Sequence, residues 1–208
     1  MATLAMLLIG SYLLGSVPFG YLAGRLAGID IRQVGSGNVG ATNVVRVLGK
    51  KYGYPVFLLD FLKGFGAVQL SMLMISGRPP EWSSSEIVGI LAGISSILGH
   101  LYSPWLKFKG GKGVATAAGA LFTLAPVATL ICIAIWVIVF WLTRYVSLAS
   151  IVAAGLLPLI ILVLSWRDQT QLRPLLYASA CVAAFIVWRH RSNLSRLMRG
   201  TEPRCIRK

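Results

Sequence analysis

Between Leu4 and Trp188 the chain is a succession of apolar runs separated by short polar stretches: 4 to 27, 54 to 76, 87 to about 105, 114 to 142, about 146 to 165, and 175 to 188. A bilayer-spanning helix takes roughly 20 apolar residues, so these runs leave no room for a separate soluble domain. Composition agrees: 56% of the 208 residues are hydrophobic and 12% are charged, with a mean hydropathy of +0.75, whereas a soluble domain carries about 25% charged residues. Water-soluble classes are excluded. The expected fold is an all-α integral membrane protein, a single domain over 1–208. The first run lacks a basic start and is too long for a secretory apolar core, so it reads as an uncleaved span rather than a signal peptide. Its Gly15, Pro18 and Gly20 predict close packing or a kink.

The run from 114 to 142 decides how many spans there are. Its 29 residues would rise about 43 Å as one helix, well beyond a hydrocarbon core of roughly 30 Å. Pro126 offers a break, giving a short fourth span at 114–124 and a full return from 126, seven transmembrane helices in all. The net charge of +14 supports that split. With it, sixteen of the 20 basic residues share one side with Asp30 and Glu202, while Arg78, Arg167 and Arg173 face Glu81, Glu86 and Asp168 on the other. Without it, the basic tail from Arg189 would be translocated, against the positive-inside bias. The expected topology is therefore N-terminus outside and C-terminus cytoplasmic. In a membrane chain this basicity points to cytoplasmic loops, an anionic substrate or lipid headgroups, not to nucleic acid.

Under that topology the unusual polar clusters gather at the cytoplasmic interface. The first, Gly35-Ser36-Gly37-Asn38-Val39-Gly40-Ala41-Thr42-Asn43 with Arg46 following, combines glycines that let amides approach an anion with short hydroxyl and amide donors. It has the ingredients of a phosphate nest, although the same residues also serve ordinary turns. It lacks the Gly-Lys-Ser/Thr ending of a nucleotide loop. In the second, Gly110-Gly111-Lys112-Gly113 opens the short span, placing Lys112 and Thr116 at a helix N-terminus suited to phosphate. Lys107 and Lys109 read as interface anchors. The third, Arg144 to Ser150, opens the sixth span with Ser147 and Ser150, hydroxyls that also cap helices. The fourth, Arg189-His190-Arg191-Ser192-Asn193, puts His190 and Asn193 on one face. His100 shows no partner in sequence and reads as structural. Asp60 and Lys63, at i and i+3, read more simply as a neutralising pair than as an ion relay.

No His-rich metal pattern, GxSxG elbow or close carboxylate pair occurs, and none of the three cysteines belongs to a CxxC pair, so neither a metal nor a cofactor is expected. The residues leave a pocket built to hold phosphate-bearing substrates beside lipid. From the residues alone, an enzyme and a small transporter or channel for an organic phosphate both remain open. A transporter would place its site at the midplane.

Taken together, Gly35 through Arg46 and Leu48-Gly49, Phe108 through Thr116, Arg144 through Ser150, Arg189-His190 with Asn193 and Arg196-Leu197, and the Leu59 to Gly64 segment resemble the motifs of the bacterial acyl-phosphate:glycerol-3-phosphate acyltransferases of the PlsY type. The match runs in order from the first span to about residue 202. The resemblance implies a seven-span enzyme of the bacterial inner membrane, with its site at the cytoplasmic face. Such an enzyme moves a fatty acyl group from acyl phosphate to the sn-1 hydroxyl of glycerol 3-phosphate, giving lysophosphatidic acid. It further implies that Ser36, Arg46, Lys112, Ser150, His190 and Asn193 touch substrate or take part in catalysis. Gly35, Gly37, Asn38, Gly40, Thr42, Asn43, Gly110, Gly111, Gly113 and Thr116 would shape the phosphate sites. Acyl transfer is expected to be direct, with no acyl-enzyme.

Overall fold

The computed structural model describes residues 2–76, 85–166 and 173–205; Arg78, Glu81, Arg167 and Asp168, on which part of the charge reading rests, lie outside the described residues. Every regular element among the described residues is helical. They form two compact units, residues 1–124 and 125–208.

In the first unit, α1 (Ala2–Ser16) and α2 (Phe19–Leu26) split one apolar run at Val17 and Pro18. Proline has no N–H to continue the helix, and the carbonyls released there find partners elsewhere. Ser103 Oγ donates to Ser16 O at 2.7 Å, and Lys63 Nζ donates to Val17 O at 2.9 Å. After α3 (Ala41–Leu48) comes α4 (Lys50–Ile75), the helix against which α1, α3, α5 (Ser85–Leu101) and α6 (Val114–Leu124) all pack. Small residues bring these backbones together, as is common between membrane helices. A Cβ on Gly15 would overlap the Ser96 backbone, one on Gly64 the Thr116 carbonyl, and one on Gly119 the Phe61 carbonyl.

The second unit holds α7 (Pro126–Thr143), α8 (Val146–Leu164), α9 (Arg173–Arg189) and α10 (Arg191–Met198). α8 packs between α7 and α9, and α10 lies against α8 and α9. The tail folds back on the turn between α7 and α8: Cys205 N–H donates to Arg144 O at 2.9 Å, and Arg204 Nε to the Tyr145 hydroxyl at 3.0 Å.

Among the described residues, five stretches are long and apolar enough to cross a membrane: Ala2–Leu26, Lys50–Ile75, Ser85–Leu106, Pro126–Thr143 and Val146–Leu164. The 11-residue α6 and the 17-residue α9 occupy the remaining two runs. The break between Leu124 and Pro126 falls where run length requires it. Two elements differ from the sequence expectation. The stretch from 28 to 53, polar and glycine-rich in sequence, contains α3 and the first turn of α4, because Val44, Val45, Val47 and Leu48 supply an apolar helical face whose Val44 is fully buried. The tail past Glu202, which lies beyond the motif match, is docked through Arg204 and Cys205.

Candidate active site

The first glycine-rich segment is shaped by its own side chains. Gly35 and Gly37 have φ of 62° and 70°, a left-handed conformation that glycine adopts without strain. Asn43, 1% exposed, accepts the Ser36 N–H on its Oδ1 at 2.8 Å and donates from Nδ2 to the Ile31 and Val34 carbonyls. Asn38 Oδ1 accepts the Gly40 N–H at 2.8 Å. Both amide side chains therefore brace the loop. Ser36, Thr42 and Arg46 are exposed, Arg46 on α3. The approach to the loop is fixed by Asp30, which Arg32 grips at 2.6 Å. Chiefly through that side-chain hydrogen bond, the Asp30 carboxyl is held at about 2.

The second segment enters α6. Gly110 and Gly111 donate their N–H groups to the carbonyls of Leu101 and His100 at 2.9 and 3.1 Å, so the turn hangs from the end of α5. Gly113 has φ 82°. Lys112 is half-buried between buried Gly111 and Gly113, whereas Lys107 and Lys109 are exposed. Thr116 lies in the first turn of α6, fully buried, and its hydroxyl has no hydrogen-bond partner within the described residues. The two glycine-rich segments flank common ground within this unit: Val39 of the first lines one cavity with His100 and Leu106, and Gly110 and Gly111 of the second hang from the His100 end of α5.

Beside both segments lies a buried ionic cluster. Lys63 Nζ is 2.8 Å from Asp60 Oδ1, and His100 Nδ1 is 3.6 Å from the same oxygen. The neutralising pair is thus observed, and His100 acquires the partner that sequence did not show. Asp60 and His100 lie 40 residues apart, so no local pattern could have joined them.

In the second unit, Ser150 is buried at the start of α8. Its hydroxyl donates back to Val146 O at 2.8 Å and accepts from Trp136 Nε1 at 3.1 Å. His190 lies at the junction of α9 and α10, 3% exposed, with Nδ1 2.8 Å from Ile186 O. A carbonyl only accepts, so Nδ1 carries a proton in this contact. Asn193 Nδ2 donates to Glu202 Oε1 at 2.7 Å, and the same carboxylate takes Ser147 Oγ at 2.6 Å and Arg196 Nε at 2.7 Å.

Glu202 is the residue that sequence reasoning passed over. Burial alone would raise its carboxyl, but the hydrogen bonds from Ser147, Asn193 and Arg196 outweigh that and hold it below the usual range. A depressed folded value means that the clamp is at full strength above the ordinary glutamate range and is lost as pH falls through the lowered value. The available signal was a lone acid in a basic tail. Among the described residues, no group of three histidine, cysteine or acidic side chains could hold a metal ion.

The family model of glycerol-3-phosphate acyltransferases matches residues 5–200. Curated glycerol-3-phosphate acyltransferases from Aquifex aeolicus and Desulforamulus reducens are 44% and 43% identical, over 95% and 96% of this chain and 97% and 94% of theirs. The fold is similar to the crystal structure of PlsY (YgiH), an integral membrane glycerol 3-phosphate acyltransferase, in its glycerol 3-phosphate form. The TM-score is 0.84 at 43% identity, over 97% of this chain and 94% of that one. The lysophosphatidic acid form of PlsY gives 0.82 at 42% identity. The alternative of a transporter gives way, and the chain, a multi-pass membrane protein and an acyltransferase, belongs to the glycerol-3-phosphate acyltransferase family.

Proposed function

We propose that the protein transfers a fatty acyl group from acyl phosphate to the sn-1 hydroxyl of glycerol 3-phosphate, releasing lysophosphatidic acid and phosphate at the cytoplasmic face of a bacterial inner membrane. Seven spans, with the N-terminus outside, place all the basic segments on that face. The observation that carries the reading is that two glycine-rich basic segments of the first unit both abut the end of α5, Val39 lining a cavity with His100 and Gly111 lying against the His100 ring, a provision for phosphate groups beside long apolar helices. The glycerol 3-phosphate and lysophosphatidic acid forms of PlsY support the acceptor and the product. Nothing in the chain resembles a site for the larger coenzyme A.

In this mechanism Arg46 and Lys112 neutralise phosphate charge. Ser36 and Ser150 donate hydrogen bonds, Ser150 after turning its hydroxyl away from Val146 O. Asn193, held by Glu202, orients glycerol 3-phosphate together with His190. The sn-1 oxygen attacks the acyl carbonyl carbon, the carbon–oxygen bond to phosphate breaks, and inorganic phosphate leaves. Acyl phosphate is a mixed anhydride with a good leaving group, so no covalent relay is needed. The hydroxyl proton passes to a substrate phosphate, whose second pKa is near 6, with His190 positioning that group.

The test incubates purified protein with acyl phosphate and labelled inorganic phosphate but no glycerol 3-phosphate, and then runs donor competition with the acceptor present. Direct transfer predicts that no label enters acyl phosphate, since an acyl-enzyme would run backwards and exchange it. Exchange, or equal turnover with acyl-CoA, refutes the proposal.

A further inference from the structure

Asp60, Lys63 and His100 are 3%, 3% and 8% exposed, and the proposed chemistry uses none of them. A pair that served only to cancel charge would need no third member, and apolar residues of similar volume commonly replace such pairs without loss of stability. What the cluster touches is more specific. Lys63 Nζ donates to the Val17 carbonyl at the α1–α2 break and lies 5.6 Å above the Phe19 ring. One residue further, Gly20 lies so close to the Val39 carbonyl that a Cβ would overlap it, and Val39 belongs to the first glycine-rich segment.

On the other side, the His100 ring stands between Asp60 and the second segment. Its Nδ1 faces the Asp60 carboxylate, while a Cβ on Gly111 would collide with Nε2 and one on Gly110 with the His100 carbonyl. The same carbonyl accepts the Gly111 N–H. One cavity is lined by Val17, Val39, Asp60, Lys63, His100 and Ser103, among others; the cluster thus borders the first segment at Val39 across this cavity, and the second at Gly110 and Gly111 through His100.

We propose that Asp60, Lys63 and His100 are positioning residues: the cluster sets the seat of the Gly110–Gly113 turn against the first glycine-rich segment and so aims Lys112 at a phosphate of the substrates. This rests on the reading of that turn as a phosphate site. Displacing a charged group by about 1 Å costs on the order of 100-fold in rate, so small movements of the ring are enough to matter.

A double-mutant cycle in the full-length protein tests this, with kcat and KM for acyl phosphate and for glycerol 3-phosphate read beside the melting temperature. His100→Ala is expected to lower kcat/KM by about 10- to 100-fold, with the rise in KM falling on whichever substrate the turn holds. Combined with Lys112→Ala, it should cost no more than Lys112→Ala alone, because the histidine acts through the lysine. A second variant, Asp60→Leu/Lys63→Met, removes both charges together and should melt near the wild type yet remain about 10-fold or more impaired, as expected for a misplaced group. If His100→Ala does not fold, His100→Gln fills the space and enters the same cycle with the same expectation. Additive losses in the cycle, or full activity of Asp60→Leu/Lys63→Met, would overturn the positioning role while leaving the phosphate site intact. Full activity of Lys112→Ala would instead remove the phosphate reading and this inference with it.

Discussion

Arg46 and Lys112 carry the same charge on different ground, one exposed on a short helix and the other half-buried between glycines. If both neutralise phosphate, Arg46→Ala and Lys112→Ala should each lower kcat/KM by about 100-fold or more, on the order of 2.7 kcal/mol of transition-state stabilisation. Lys107→Ala, at an exposed anchor, should do far less. Steady-state kinetics on the three variants check this, and equal losses would mean that basicity in general is what counts. The motif residues themselves were legible because glycines, hydroxyls and cations crowd into short windows. Their partners were not. Asn43 stands in the motif as a candidate substrate donor, yet its side chain holds Ser36 N–H and two carbonyls. Asn193 is held by Glu202, and His100 faces Asp60, neither of which any spacing rule announces. Sequence shows which groups are present, but three-dimensional packing decides what each one touches.

Among the elements, the crossing of α4 and α6 is the most demanding. Gly64 and Gly119 let each backbone meet the other helix directly, and the aromatic rings of Phe61, Phe65 and Phe122 pack beside them. Gly119→Leu should therefore destabilise the fold by about 2 kcal/mol or more, since extra side-chain volume in a filled contact forces backbone shifts. Gly155→Leu, where a Cβ meets nothing within 4 Å, is the matched control, and thermal melts of the two variants decide the point. The interruptions at Pro18 and Pro126 could be read from the chain, because proline chemistry and bilayer thickness are local and arithmetic. α3 was overlooked although its apolar face was there to see, since eight residues among glycines fall below the length at which periodicity speaks clearly.

At the level of the whole molecule, charge asymmetry is the argument for the proposed topology. It predicts that a cysteine placed at Arg199, in a chain whose native cysteines are replaced, stays unlabelled by an impermeant reagent added outside intact cells and reacts once the membrane is opened. Labelling from outside would reverse the orientation. The short α6 bears on how such a chain is made. At 11 residues it rises about 16 Å, near half the hydrocarbon thickness; under the proposed topology its last carbonyls would end where no water can reach and would need protein around them. The helices that shelter it, α4 and α5, both precede it in the chain. Translation delivers the shelter before the guest: under the proposed topology α6 would enter the bilayer against a hairpin already made, and the order of synthesis would be part of what makes half a span affordable.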